Sequence, residues 1–504
     1  MPGFLRLLNR PVYAVLAVAA IAGGVRFADL GQPRERVFDE FYYPKAACIL
    51  LGETNRVCDV RSDDEKYWRK NQWDVGSWVH PPLGKWMIAV GEKLFGAGNP
   101  FGWRFSSAVA GTLICVMIAT IAQVLWAQPL WTFVAGLLAA VDNLEFVLSR
   151  LSLLDIFVAF WVVLGFLCLV LDRRWIERRT PSKDQLAPAR PDAVDRPSAP
   201  EPRRRVPAPI WRPWRLASGL TFGAAASVKW SGAFALLGAV LLTLAWETTR
   251  RRRESRGGWS AFGQTLLWEA FGMALFFAVV PATVYVATWV PWIHHFDWDF
   301  SRWWFGNQVA AWDYHKDLKW MALDPTTHQF TPTHPYFSRP WTWLIPTRPV
   351  SMFAHRTETT QAEILAIGNP AIMWGSAFAL PYLVFAWRRK RDWGAGLILV
   401  VVASMWLPWF AFTRPQFFFY MAPVTPFLAL AGAYLARDLS DMRLILAHQE
   451  TGDLVESRRH PYRPIAWGYL ALCVGLFVWF YPVLTGIPIS LTHWRLIVWF
   501  RGWI

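Results

Sequence analysis

The chain has 504 residues, 54% of them hydrophobic, and a formal net charge of +15. Its apolar residues gather into runs of about 20, the length that crosses a hydrocarbon core, which excludes an ordinary soluble multidomain protein. The 34 Trp suit a lipid–water interface, and the positive charge sits in a few Arg clusters with no nucleic-acid-binding module, so nucleic acid is not an expected partner.

Residues 11–30 are predicted to be a first span, retained because no small-residue cleavage site follows a short apolar core. A long polar and aromatic loop, 31–102, comes next. It carries Asp39-Glu40, then Phe41, Tyr42, Tyr43 and Lys45, and later His80-Pro81-Pro82-Leu83-Gly84-Lys85. A carboxylate pair beside a span is by itself only a solvated loop start or a helix N-terminal charge. The prolines fix the backbone after the histidine and open a helix, which sets His80 and Lys85 near its beginning. Cys48 and Cys58 share this loop, where a bracing disulfide and two free thiols are both open; five cysteines are too few for a disulfide framework.

Further spans are predicted at 103–126, 129–149 and 156–171, followed by a basic segment, 172–215. Its centre, 180–209, is rich in Pro, Ala and charge without apolar periodicity and reads as a disordered cytoplasmic linker. Residues 216–246 are too long for one span and read as two short helices meeting near Lys229. A span at 262–290 leads to a second large loop, 291–368, and the last spans are 370–387, 394–412, 416–435 and 465–484. The expected architecture is one all-α multi-spanning unit over 1–504 with about eleven transmembrane helices. With that count, the basic segments 172–215, 250–256, 388–391 and 437–463 share one side, and the loops 31–102 and 291–368 share the other. The positive-inside rule then makes the two loops extracytoplasmic.

Arg104 stands one turn into the second span, Arg150 and Asp155 flank the turn before the fourth, and Arg414 lies at the outer end of another. Ionisable groups at membrane depth are costly and face a cavity or a partner, although snorkelling or a structural ion pair accounts for any one of them. Arg104, Arg150 and Arg414 converge on the side of Asp39 and Glu40. A carboxylate beside cations suits a phosphate-activated sugar donor: the cations stabilise a departing phosphate, and the carboxylate takes the proton of an acceptor hydroxyl. The second loop adds His334-Pro335-Tyr336 through Trp341 to Trp343, Arg348-Pro349-Val350-Ser351, and Asn369-Pro370 at the next span. Its aromatics fit either interfacial anchors or the wall of an acceptor groove. His294, His295, His315, His328 and His334 have no recognisable metal-ligand spacing, and no bound metal is expected.

In this order the motifs resemble the protein O-mannosyltransferases of the glycosyltransferase C superfamily. The resemblance rests on Asp39-Glu40, the segment from His80 to Lys85, Arg150 with Leu153-Leu154-Asp155, and Ser227-Val228-Lys229-Trp230. It continues through His334 to Trp343, Arg348 to Ser351, and Gly368-Asn369-Pro370. It implies an eleven-span fold, a polyprenyl-phosphate mannose donor, and inverting transfer to Ser or Thr of exported polypeptides, with Asp39 as general base and Glu40 helping to place the acceptor. The cations it assigns to the donor are Arg104, Lys229 and Arg414, and Arg150, His80 and Lys85 join them as candidates. His334, Tyr336, Trp341 and Asn369, with Glu40, are candidates for the acceptor. No tightly bound cofactor is implied, and divalent-ion assistance and a translocon partner stay open. Eukaryotic members carry a β-trefoil domain in the second loop, for which 291–368 is too short; this resembles the bacterial branch and implies a plasma membrane. Competing readings are a related transferase with a lipid or glycan acceptor, and a lipid-sugar transporter, for which the halves show no convincing repeat.

Overall fold

The computed structural model describes residues 10–60, 79–179, 208–254, 258–323, 330–443, 445–447, 454–456 and 459–503. Most of the expected linker, 180–207, lies outside them. Among the described residues seven helices are long and apolar enough to cross a membrane. They become eight when Pro129–Ala140 and Asn143–Ser149, bent by 65°, count as one span. The chain is a multi-pass helical membrane protein. Shorter helices, Pro11–Phe27, Pro213–Val228 and Thr425–Asp441, of 17, 16 and 17 residues, occupy the other expected positions. The last starts later than expected: Phe418–Met421 is a 3-10 turn, and Gln416 is held off the helix by donating to the Trp409 and Phe412 carbonyls at 2.8 Å each.

Small residues set how closely these helices approach. A Cβ on Gly219 would lie 2.1 Å from the Phe276 carbonyl oxygen, so Pro213–Val228 rides against the backbone of a neighbour. That neighbour carries a π-helical turn, Leu275–Val279, at the crossing. Pro213–Val228 also packs along Leu154–Glu177, with Phe222 filling the notch at Gly165. Near one end of these helices, buried charges tie four of them together. Arg212 pairs with Asp172 and with Glu247 at 3.1 Å, while Arg215 and Arg251 reach Glu269 at 2.6 Å each. Such pairs persist only with near-complete hydrogen bonding, since each ion gives up its hydration.

The two long loops are not plain coil. The first holds a 3-10 turn, Phe38–Phe41, and helices Tyr43–Leu50 and Leu83–Phe95, with Cys48 and Cys58 joined as a disulfide. The second holds short helical segments and an antiparallel sheet in which Thr360–Ala366 lies between Val350–Arg356 and Ile489–Ser490. This sheet was not foreseen; a bulge at Ser351/Phe353 interrupts its alternation, and its two-residue third strand, Ile489–Ser490, comes from far along the chain.

Asn369 follows the sheet and departs from its expected place at an acceptor. It is fully buried, its Oδ1 caps the next helix at Ala371, and its Nδ2 donates to the carbonyls of Val141 and Cys473, both at 2.9 Å. It locks the bend after Ala140 to two other helices. Asn369→Ala removes a cap and strands two buried acceptors, so stability should fall by about 2–4 kcal/mol. A lower midpoint of thermal unfolding in detergent is expected; an unchanged one would contradict this role.

Candidate active site

Asp39 and Glu40 are adjacent in sequence and opposite in fate. Glu40 has no solvent exposure and receives Arg104 in a bidentate pair, with Nε to Oε1 at 2.8 Å and Nη2 to Oε2 at 2.7 Å. The backbone amides of Ser152 and Val37 also donate to it, at 2.8 and 3.1 Å. The rest of the Arg104 guanidinium is spent on the carbonyls of Leu30, Pro33 and Glu35. Glu40 is thus a buried anchor that pins the turn to the Pro100–Trp126 helix. Asp39, one residue earlier on the 3-10 turn, faces away into a cavity of about 400 Å³. Phe38 enters the turn at φ +49°, a backbone that costs an L residue about 1–2 kcal/mol and that the anchor holds in place.

Tyr43, one helical turn beyond Asp39, hydrogen-bonds its carboxylate. Burial pushes the Asp39 carboxyl up to about 6; Asp155 adds to the rise, and Lys229 and the Tyr43 hydroxyl oppose it. Lys229 also lines the cavity, because the helix Pro213–Val228 stops there and the backbone turns extended (φ −153°, ψ 140°) before the 3-10 segment Trp230–Ala233. A Cβ on Gly232 would fall 2.3 Å from the Ala225 carbonyl carbon, so this turn-back needs glycine. The Lys229 ammonium donates to both oxygens of Asp155, at 2.8 and 3.0 Å, and lies 5.1 Å from the Tyr420 ring centre.

The second cation at the cavity is Arg414. Its Nη1 donates to His315 Nδ1 at 2.9 Å, and His315 Nε2 donates to the Val79 carbonyl at 3.0 Å. One neutral tautomer satisfies both bonds. Burial, reinforced by Arg414, lowers His315 to about 4, which keeps it neutral. His80 stacks on His315 at 5.4 Å, and burial together with nearby Lys229 holds His80 well below its usual range. His334 contributes to the cavity edge, its ring 4.8 Å from Phe417.

Beyond Trp230 lies a second cavity, an apolar groove of about 730 Å³ walled by residues such as Phe277, Pro281, Trp303 and Trp312. Trp230 donates to the Tyr285 hydroxyl at 2.8 Å, which donates to Gln308 at 2.6 Å. The Trp230 and His315 rings stand 5.9 Å apart, so the groove begins behind the wall of the charged pocket.

Of the residues expected here, Asp39, His80, Lys229, Arg414 and His334 meet at one cavity. Others do not. Arg104 is consumed by Glu40, and Arg150 caps the first helix through the carbonyls of Val25, Arg26, Ala28 and Asp29. Lys85 is buried and braces the His-Pro-Pro turn by donating to the His80 carbonyl at 2.9 Å. Tyr336 packs on the core beside Arg348, and Trp341 is exposed against Phe410 and Arg339. Sequence reasoning passed over Tyr43, His315 and Tyr420 as site residues. Tyr43 had a usable signal, its i+4 spacing from Asp39, whereas His315 reaches the pocket only through tertiary packing. Among the described residues no group of three or more His, Cys, Asp or Glu is arranged to hold a metal ion.

Residues 16–184 match the family described as dolichyl-phosphate-mannose-protein mannosyltransferase, and residues 300–503 match the C-terminal four-transmembrane region of protein-O-mannosyltransferase. A polyprenol-phosphate-mannose–protein mannosyltransferase of Mycolicibacterium smegmatis is 32% identical over 521 residues, covering 96% of this chain and 92% of that relative. One of Mycobacterium tuberculosis is 31% identical, covering 98% and 97%. The chain belongs to the protein O-mannosyltransferase family. Among solved structures, the Saccharomyces cerevisiae protein O-mannosyltransferase Pmt1-Pmt2 complex bound to the sugar donor superposes with a TM-score of 0.70 at 13% identity, over 100% of this chain and 94% of that one. ArnT from Cupriavidus metallidurans in the apo state gives 0.51 at 16%, over 94% and 76%. At such identities the likeness shows a shared fold.

In this O-mannosyltransferase the carboxylate buried deepest beside the site is an anchor. Removing one partner of such a pair strands a buried charge and costs about 3–5 kcal/mol. Arg104→Met should therefore lower the unfolding midpoint sharply, and Arg104→Lys should not rescue it, because an ammonium lacks the two-pronged geometry. Midpoints within a degree of the unaltered protein would contradict the anchor.

Proposed function

We propose that the chain transfers mannose from polyprenyl-phosphate mannose to Ser or Thr hydroxyls of exported polypeptides, with inversion, at the extracytoplasmic face of a bacterial plasma membrane. The carrying observation is a half-buried carboxylate, Asp39, that shares one pocket with Lys229 and Arg414 next to an apolar groove. The names of the mycobacterial relatives support the donor and the protein acceptor.

The chemistry follows from charge. The acceptor oxygen attacks the anomeric carbon as the bond from that carbon to the phosphate oxygen breaks. The hydroxyl proton passes to Asp39, and the polyprenyl phosphate leaves with its electron pair. Lys229 and Arg414 stabilise the negative charge that grows on that phosphate. Asp155 fixes the Lys229 ammonium, and the neutral His315 fixes the Arg414 fork. The groove past Trp230 takes the start of the polyprenyl chain, so the donor enters from the bilayer with its phosphate in the pocket. Glu40 acts through the turn it anchors. The charge pattern supports eleven crossings, with the loops 31–102 and 291–368 outside.

Purified protein in lipid, supplied with polyprenyl-phosphate mannose and a Ser/Thr-rich peptide, should add a hexose to the peptide, and Asp39→Asn should abolish the addition while donor binding persists. Donor consumption with a lipid acceptor and an untouched peptide would sink the protein-acceptor reading. The base must be ionised, so kcat/KM should fall about tenfold per unit as pH drops below about 6. Tyr43→Phe removes a donor to the carboxylate and should shift that limb to higher pH; an unmoved limb would remove Asp39 as the titrating group. For sidedness, a cysteine at Thr333 should react with an impermeant maleimide on intact cells, and one at Met442 should not. The reverse pattern would overturn the topology.

A further inference from the structure

A cavity of about 620 Å³ lies far from the candidate active site. It is bounded by the last turns of the helix Phe234–Glu254, the end of Pro370–Arg389 and the start of Trp393–Trp406. Lys229 precedes the first of these helices and Arg252 is near its other end, so the two sites are about 30 Å apart along a 21-residue helix. The reaction above uses none of the residues that line it.

Its walls differ in character. One side is basic: Arg173, Arg252 and Arg391 all line it. Arg173 is pre-set, with its guanidinium carbon 4.5 Å from the Trp393 ring centre and 5.1 Å from that of Trp246, and with Nη2 on Glu177 at 3.0 Å. Arg391 sits at φ +53° in the two-helix turn, which aims it out of either helix, and Arg252 is exposed. The adjacent Asp392 carboxylate is turned to its own helix, accepting from Gly394 at 2.7 Å, and to the Tyr434 hydroxyl at 2.6 Å. The other side is apolar and runs along the helices through Leu242, Ala245 and Val400. Trp387 lies over Gly396, where a Cβ would come within 3.0 Å of the indole, and this keeps the cavity open beside the ring.

Cations at helix ends, indoles at the same level and an apolar wall descending from them fit an amphiphile with an anionic head. A soluble anion would use the arginines and leave the wall bare. We propose that this cavity binds an anionic glycerophospholipid, with its phosphodiester between Arg252 and Arg391 and an acyl chain against Leu242, Ala245 and Val400. The indole of Trp387 covers the glycerol region. The site stands independently of the reaction assigned to the pocket at Asp39.

Native mass spectrometry of the full chain in neutral detergent, titrated with phosphatidylglycerol, tests this. The unaltered protein should retain one phosphatidylglycerol and not phosphatidylcholine. The exposed pair Arg252→Gln/Arg391→Gln should weaken retention about 30-fold, as expected for two surface cations. Ala245→Trp, which fills the apolar wall and leaves every charge in place, should weaken it as well. Retention by both variants equal to that of the unaltered protein, equal retention of phosphatidylcholine, or displacement by excess inorganic phosphate would each overturn the proposal.

Discussion

The placing of Asp39 in the candidate site depends on the buried pair between Glu40 and Arg104. Two ions without solvent exposure are stable only when each polar atom is met, and here the carboxylate takes four donors while the guanidinium takes Glu40 and three carbonyls. That closure fixes the turn 38–41 against the Pro100–Trp126 helix at a rotation that leaves the neighbouring carboxylate facing a cavity. Two adjacent acids therefore do different work. One is neutralised and structural, and the other is raised to about 6 and open to a ligand. Separating carboxylates by environment in this way is how a fold assigns an acid or a base.

A second constraint supplies the counter-charge. The helix break at Lys229, which Gly232 permits, carries an ammonium to the head of an apolar groove, and Asp155 holds it there. Arg414 lines the same pocket and is oriented through His315 to the Val79 carbonyl. The second loop thus fixes a cation through His315 and borders the pocket itself through His334. Lys229 lines the polar pocket and the next residue, Trp230, lines the apolar groove, which is the layout an amphiphilic donor requires.

The sequence made legible what local pattern controls. Apolar runs marked the helices, the break near Lys229 followed from an interrupted run, and the order of the motifs carried the family. Five of the expected site residues converge because each lies at an end of a helix or in a loop on one face. The errors have a common source. Arg104, Arg150 and Asn369 are polar groups at membrane depth, and sequence cannot tell a cavity from a neighbour's unpaired carbonyls as the reason for one. In each case carbonyls or a carboxylate of other segments already use the side chain. The sheet joining 350–366 to 489–490 escaped because a bulge breaks the alternation of its hairpin and its third strand comes from far along the chain.

The central claim is that donor phosphate and sugar occupy the pocket of Asp39, Lys229 and Arg414, with Glu40 and Arg104 behind it. A cryo-electron microscopy map of the Asp39→Asn protein with polyprenyl-phosphate mannose bound tests this directly. The account predicts phosphate density within hydrogen-bond reach of Lys229 and Arg414. It also predicts the anomeric carbon placed so that an acceptor oxygen about 3–3.5 Å from it would touch residue 39. Phosphate on Arg104 or Arg150, with the Glu40 pair opened to receive it, would contradict the account.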